Sequence, residues 1–227
     1  MKERYKVDKY TLKKDFIILL LISLMFITGA ILYPYLPEKI PMHWNFKGEI
    51  DRYGSKFEGV FVIPLTVLFL YLGLLYLPYI DPKRENYPKF EKVYQIIKYL
   101  FVIVFSIIHY SVIISALGGP RDLIPKITPI TLGILFIILG NYMPRIKYNW
   151  FVGVRTPWTL SDEEVWRRTH RFSGYLFVIG GILMLLSAFL PPYVNIIIGL
   201  SGIFFAGILS VIYSLIIYKK LKRQKEN

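Results

Sequence analysis

Six long runs of apolar residues divide this 227-residue chain. A helix rises about 1.5 Å per residue, so roughly 20 apolar residues cross a hydrocarbon core about 30 Å thick. Unbroken runs of this length predict an all-α, polytopic membrane protein, a bundle of six transmembrane helices. The segments are Phe16–Tyr33, Gly59–Ile80, Tyr94–Leu117, Ile127–Met143, Phe172–Leu190 and Val194–Tyr218.

The net charge of +13 is distributed unevenly between the two sides that six spans define. Of the 28 Lys and Arg, 22 lie before the first segment, in or beside the second and fourth connections, or after the sixth segment. This asymmetry follows the positive-inside rule and predicts that both termini are cytoplasmic. The basic character is therefore a sign of topology and of attraction to membrane lipids, and we expect no direct binding of nucleic acid.

The first segment predicts a retained anchor rather than a cleaved signal peptide. Its apolar core is long, and Tyr33-Pro34-Tyr35 follows it instead of a small-x-small cleavage site. We therefore expect a multi-pass protein of the cell membrane. The absence of cysteine excludes disulfides, thiol nucleophiles and thiolate metal sites, and no cofactor is expected.

Small residues recur at every fourth position of the sixth segment. Gly202, Ala206, Ser210 and Ser214 share one helix face, where they permit close helix packing. The short link between the fifth and sixth segments predicts a tight antiparallel hairpin of helices. Packing within the chain is the favoured use of this face, and a homodimer interface is the alternative.

The first outward connection, residues 36–58, contains a group of polar and aromatic side chains. His43, Trp44, Asn45 and Asp51 form a candidate surface for recognising a molecule that arrives from outside.

A metal site in the same connection is the alternative. Zinc in proteins is held by His and carboxylate side chains at defined spacing, and His43 shares this connection with Glu49, Asp51 and Glu58. On this reading the chain is a membrane-embedded, metal-dependent hydrolase.

His109 falls near the middle of the third segment. A titratable group at membrane depth suggests a function, here small-solute or proton transport. No Asp, Glu, Lys or Arg is expected deep in any segment, so a chain of proton-carrying groups is absent from the sequence. We favour a neutral imidazole that bonds a neighbouring helix, with Tyr110, Ser106 or Tyr71 as candidate partners.

The inward connection before the fifth segment predicts the start of a helix. Ser161 as N-cap and Glu164 three residues later form a capping-box pattern. Glu163 with Arg167, and Glu164 with Arg168, are i,i+4 pairs in the favourable order. Three tryptophans of the connection are expected to anchor it at the membrane interface: Trp150, Trp158 and Trp166.

The helix start does not explain residues 149–157, and two groups of residues in this connection are therefore singled out. They are candidates for contact with lipid headgroups or with a cytoplasmic partner. The first group is Asn149, Phe151, Gly153, Arg155, Thr156, Pro157 and Trp158. The second group is Arg167, Arg168 and Arg171.

One pattern extends over residues 140–144 (GNYMP), 151–161 (FVGVRTPWTLS) and 165–171 (VWRRTHR). With this pattern the chain resembles the SdpI immunity-protein family. Residues 40–51 (IPMHWNFKGEID) resemble a small domain often found N-terminal in that family. The resemblance implies a membrane region at 1–125, with the outward His-Trp-Asn connection, and an SdpI-like region at 126–227.

The resemblance also implies a function. The best-known member of that family protects a toxin-producing bacterium from its own secreted peptide toxin, and is implicated in signalling by holding a transcriptional repressor at the membrane. We therefore expect a non-enzymatic protein of toxin immunity or peptide-responsive signalling. It would bind a peptide toxin outside and a transcriptional repressor inside.

Overall fold

The computed structural model of the protein describes residues 5–7 and 9–226. Six of the described helices are long and apolar enough to cross a membrane, which confirms the predicted fold class. The helices are α1 (Lys9–Lys14), α2 (Phe16–Leu32), α3 (Lys56–Ile80), α4 (Glu91–Ala116), α5 (Leu123–Tyr142), α6 (Pro157–Ser161), α7 (Glu163–Ser187) and α8 (Pro192–Glu226). Short 3-10 turns cover Tyr33–Tyr35, Arg84–Phe90 and Met143–Arg145.

Both ends of the described chain lie at the same end of the bundle. The backbone N–H of Val7 donates to the hydroxyl of Tyr79 near the end of α3, at 2.6 Å. Lys225 on α8 pairs with Asp162 before α7, with 3.0 Å between the ammonium nitrogen and Oδ2. We call this the terminal end and the opposite one the hairpin end.

The first outward connection folds as a β-hairpin, which the sequence analysis did not predict. Strand β1 (Lys39–Trp44) pairs antiparallel with β2 (Ile50–Ser55), and the register is irregular on both sides of His43. Ile40 is fully buried among residues of α3 and α4, including Val60 and Val112. This contact holds the hairpin against the bundle.

Glycines allow α5 and α7 to cross with their backbones in contact. A Cβ on Gly140 would lie 2.7 Å from the carbonyl oxygen of Gly174, and Gly133 meets Gly181 in the same way. Helices in lipid associate through such close packing, because lipid tails are as apolar as the side chains. The crossing therefore fixes α5 on α7.

Helices α7 and α8 form the predicted antiparallel hairpin. Gly180 approaches Gly202 closely, and Ala206, Ser210 and Ser214 are all buried inside the chain. The face of small residues on α8 therefore serves packing within the chain, as favoured above.

Lys98 lies near the start of α4 and is buried there in an ion pair, which the sequence pattern did not predict. Its ammonium group contacts both carboxylate oxygens of Asp15, at 2.8 and 2.6 Å, and both residues are buried. The hydroxyl of Tyr71 also donates to Asp15, at 3.0 Å. A buried charge needs such partners, and here they tie the start of α2 to α3 and α4.

Candidate functional site

The tip of the β-hairpin reaches across to the other half of the bundle. The side-chain oxygen of Asn45 accepts hydrogen bonds from the N–H groups of Lys47 and Glu49, at 2.8 and 3.1 Å. Gly48 has a φ of +77°, and a Cβ there would lie 3.1 Å from Pro125 and 3.3 Å from Pro192. This turn therefore places β1 and β2 against the first turns of α5 and α8.

A cavity of about 280 Å³ lies beneath this tip, at the hairpin end. Its walls are mostly apolar and come from the hairpin, α5, α7 and α8. They include Trp44, Asn45, Pro125, Leu132, Met184 and Ile196. Of the predicted outward residues, Trp44 and Asn45 line this cavity, and such a space accommodates an apolar side chain or short apolar segment.

The floor of the cavity is braced by hydrogen bonds between α5, α7 and α8. The side-chain amide of Asn195 donates to the carbonyl oxygen of Pro125 at 3.0 Å, and Ser187 donates to the oxygen of Asn195 at 3.1 Å. Ser187 is fully buried and Asn195 nearly so. These hydrogen bonds therefore hold the three helices that line the cavity in fixed positions relative to one another.

His43 and Asp51 form an exposed pair, with 2.6 Å between Nδ1 and Oδ1. Glu49 accepts from the side chain of Asn45, and Glu58 completes a capping box with Ser55 at the start of α3. Among residues 5–7 and 9–226 no group of three or more His, Asp or Glu is arranged to hold a metal ion. The geometry thus gives the metal-dependent hydrolase no support.

His109 is fully buried, and its expected hydrogen bond is not found. Neither ring nitrogen has a hydrogen-bond partner in the described part of the chain. The three expected partners are engaged elsewhere: Tyr71 bonds Asp15, Ser106 bonds the carbonyl of Val102, and the Tyr110 hydroxyl accepts from Thr28. The ring instead meets that of Tyr110 edge-on, at 5.3 Å between centroids.

At the terminal end, Asn149 folds the segment that precedes α6. Its side-chain oxygen accepts from the N–H groups of Phe151 and Val152, and its amide donates to the carbonyls of Lys147 and Val152. Asn149 is fully buried, so it is a structural residue of this segment rather than a contact surface. Phe151 is half-buried.

His170 holds the same segment from α7, and the sequence analysis missed this role. Its Nδ1 lies 2.9 Å from the carbonyl oxygen of Trp166, and its Nε2 accepts from the N–H of Val154 at 3.1 Å. These two bonds select the neutral tautomer with the proton on Nδ1. Gly153 sits over the ring with a φ of +117°, where a Cβ would lie 2.2 Å from Nε2.

Trp166 is buried beneath this segment, so its prediction as an interfacial anchor is wrong. Its indole N–H donates to the carbonyl of Ile146 at 3.0 Å, and its ring stacks on His170 at 3.9 Å between centroids. Trp158 is half-buried, whereas Trp150 exposes 45% of its surface.

Thr156 and Pro157 begin the short helix α6. Thr156 forms a capping box with Thr159, and Pro157 occupies the first helical position, where its missing N–H costs nothing. The Thr156 hydroxyl also lies 3.1 Å from that of Ser214 on α8. Arg155, immediately before this cap, is exposed and reaches the carbonyl of Trp150 at 3.4 Å.

The N-cap of α7 is Asp162, one residue later than predicted. Its Oδ1 accepts from the N–H groups of Glu164 and Val165, whereas Ser161 bonds the carbonyl of Trp158. The hydrogen bond from Lys225, aided by these amides, holds the pKa of the Asp162 carboxyl below its usual range.

Glu164 pairs with two arginines of α7. The predicted pair with Arg168 is present, with 2.6 Å between Nε and Oε1. Arg167 also pairs with Glu164, at 2.8 and 2.6 Å, rather than with Glu163. Arg171 is exposed and forms no ion pair with another described residue.

The connection between α3 and α4 supports the segment at the terminal end that carries Trp150 and Arg155, which we call the terminal-end surface. Asp81 is buried and accepts from the backbone N–H of Trp150 at 3.0 Å and from the Tyr87 hydroxyl at 2.9 Å. Asn86 donates to the carbonyl of Tyr148 at 2.8 Å. The two halves of the chain therefore meet at both ends of the bundle.

Comparison with known proteins identifies the family. The chain is 34% identical over 211 residues to the immunity protein SdpI of Bacillus subtilis (strain 168), which covers 92% of this chain and 98% of that protein. The chain belongs to the SdpI/YfhL protein family. The model of that family matches residues 145–218, which include the His170-centred segment, α7 and most of α8.

A second family model, described as a domain of unknown function (DUF1648), matches residues 20–68. This range contains the β-hairpin, most of α2 and the first half of α3. No solved structure gives a significant match. The family and the six long apolar helices together make this chain a multi-pass protein of the cell membrane.

Proposed function

We propose that this SdpI/YfhL family member confers immunity by binding a secreted peptide toxin in the cavity at the hairpin end. The observation that carries the proposal is the apolar cavity of about 280 Å³ under the hairpin tip, in a chain that matches nearly the whole length of an immunity protein. Toxic peptides that act on membranes carry apolar segments, and an apolar, pre-formed space favours them through the hydrophobic effect.

The charge distribution supports the orientation that this function needs. With the terminal end in the cytoplasm, the hairpin end and its cavity face the outside, where a secreted peptide arrives. The exposed pair of His43 and Asp51 lies on the same hairpin and provides polar contacts beside the apolar space. No part of this arrangement requires bond chemistry, and the proposed activity is binding rather than catalysis.

Survival of a toxin-sensitive bacterium that expresses the chain tests this proposal. Thr128 lines the cavity, so Thr128→Trp fills it, whereas Ile134→Trp on the same helix places the same ring on an exposed face. With the secreted toxin of the family as the challenge, Thr128→Trp should lose protection and Ile134→Trp should keep it. Protection by Thr128→Trp at equal membrane abundance would overturn the proposal.

We also propose that the terminal-end surface binds a cytoplasmic regulator. Exposed Trp150 and Arg155 lie beside each other on a segment that Asn149 and His170 hold in one conformation. Interfaces are enriched in Trp and Arg, and a fixed surface loses little entropy on binding. Recruitment of a fluorescent repressor of the family to the membrane should be lost in Trp150→Ala with Arg155→Ala, and retained in Arg145→Ala. Equal recruitment in all three proteins would refute this second proposal.

A further inference from the structure

Two cavities follow one another along the seam between α7 and α8. The first, about 420 Å³, is lined at the terminal end by Arg167, Arg168, Arg171, Phe172, Tyr175 and Tyr213. The second, about 360 Å³, continues toward the hairpin end between apolar residues that include Leu176, Ile179, Leu183, Ile198, Phe205 and Leu209.

Helical periodicity places both cavities on the same side of the seam. On α7, residues 168, 172, 175, 179 and 183 recur at intervals of three or four, and on α8 residues 213, 209, 205, 202 and 198 do the same. Residues at such intervals share one face of a helix. The rings of Phe172 and Tyr213, which line the first cavity, stack across the seam at 4.1 Å between centroids.

The charges at the terminal end of this groove are only partly neutralised. Glu164 forms salt bridges with both Arg167 and Arg168, whereas Arg171 has no acidic partner in the described residues. Three guanidinium groups thus line the mouth of the groove that the two cavities form, and a single carboxylate neutralises part of their charge. Guanidinium binds phosphate through charge-assisted, often bidentate hydrogen bonds.

We propose that this groove binds an anionic phospholipid, with its phosphate at the arginines and an acyl chain along the apolar part. The length agrees with this occupant. From Arg171 to Leu183 the helix rises about 18 Å, and one leaflet of the hydrocarbon core is about 15 Å thick. A free phosphate or an acidic protein segment would use only the cationic mouth and leave the apolar groove empty.

Native mass spectrometry of the delipidated full chain in an uncharged detergent tests the site. The probes are dioleoyl phosphatidylglycerol and dioleoyl phosphatidylcholine, which share their acyl chains. Phosphatidylglycerol should bind more tightly, and Arg168→Gln with Arg171→Gln should weaken it about 25-fold, since one basic residue near a membrane surface contributes about fivefold. Arg145→Gln, an exposed arginine of the same end outside the groove, should change its affinity less than twofold.

Two further arms identify the occupant. Ser201→Trp obstructs the apolar part of the groove and should weaken both lipids, while leaving the arginines in place. Inorganic phosphate and a hexaglutamate peptide, each at equal concentration, should fail to displace phosphatidylglycerol. Equal binding of the two lipids, an Arg168/Arg171 variant that behaves like Arg145→Gln, or displacement by phosphate or by the peptide would overturn the proposal.

Discussion

The close approach of Gly153 to His170 makes a quantitative prediction about stability. In Gly153→Ala the ideal position of the new Cβ is only 2.2 Å from Nε2 of His170, and the backbone at residue 153 has a φ of +117°. A non-glycine residue in that region costs about 1–3 kcal/mol, and a buried steric overlap costs about 1–3 kcal/mol more. We therefore expect the free energy of unfolding to fall by about 2–6 kcal/mol.

Other glycines of the chain separate these two contributions. Gly118 has a φ of +88° with nothing within 4 Å of a Cβ, so Gly118→Ala carries only the backbone cost of about 1–3 kcal/mol. Gly73 lies within α3 with open space and no positive φ, and Gly73→Ala should be neutral or slightly stabilising. The measurement is a reversible denaturant titration in detergent micelles, followed by far-ultraviolet circular dichroism.

A double-mutant cycle isolates the contact with the ring. His170→Ala removes the imidazole and leaves the N–H of Val154 unpaired, at a cost of about 1–3 kcal/mol or more. In that background the steric overlap is gone, so Gly153→Ala should cost only the backbone contribution. Additivity of the two changes within about 0.5 kcal/mol would refute the reasoning, because residues in contact are expected to couple.

Three other features lead to shorter predictions, the first two for the same titration and the third for size-exclusion chromatography. Asp15→Asn and Lys98→Met should each cost about 3–5 kcal/mol, while Asp15→Leu combined with Lys98→Met should cost less than the sum, since it leaves no unpaired buried charge; additive costs would contradict this. Asp162→Ala should cost about 0.5–2 kcal/mol at neutral pH as a lost N-cap. The pKa of the Asp162 carboxyl is lower in the folded state than in the unfolded state, where it is near 3.9. The charged carboxylate therefore adds to the free energy of unfolding above about pH 3.9, and this part is lost as pH falls through the folded-state pKa. A stability difference between the unsubstituted protein and Asp162→Ala that grows below pH 4 would contradict this sign. Gly140→Leu should separate α5 from α7 and abolish a monodisperse folded peak in size-exclusion chromatography, whereas Gly207→Leu, with open space around it, should not.

The six spans were predictable because each depends on the chain's own composition. A helix in lipid satisfies its backbone polar groups internally, so an apolar run of sufficient length decides its structure without knowledge of its neighbours. The buried face of Ala206, Ser210 and Ser214 was predictable for the same reason, since its spacing is a local property of α8.

The β-hairpin and the role of His170 were not predictable in this way. A strand pair depends on a partner strand and on the surface that buries it, here the packing of Ile40 against α3 and α4. His170 acts through the backbone of Val154, which is 16 residues earlier in the chain. The spacing between Gly153 and His170 matches no known short motif, so the sequence alone does not bring the two residues together. The burial of Lys98 depends on Asp15, which is 83 residues away in the chain, so the sequence around Lys98 could not predict it.

Helix α7 runs from the cavity at the hairpin end to the exposed segment at the terminal end, so it restricts how the two proposed binding sites could be coupled. At the hairpin end Met184 lines the cavity, and at the terminal end Trp166 and His170 hold the exposed segment. The glycine crossings prevent α5 from sliding on α7, because a Cβ at Gly133 or Gly140 would lie only 2.7 Å from a carbonyl oxygen of α7 and no side chain could pass.

We propose that peptide binding in the cavity promotes recruitment of the repressor by displacing α5 and α7 together, as one rigid unit that moves against α4. Only a difference in affinity between two such arrangements can drive this change. Because the chain contains no cysteine, the idea is testable by linking two introduced cysteines with a reducible bifunctional thiol reagent. Phe136 and Phe177 face each other across α5 and α7, with ring centroids 5.9 Å apart. A cross-link formed by Phe136→Cys with Phe177→Cys should leave peptide-dependent recruitment of a repressor intact. If this cross-link abolishes recruitment, while the reduced protein keeps it, then α5 and α7 must move against each other and the rigid-unit argument is wrong.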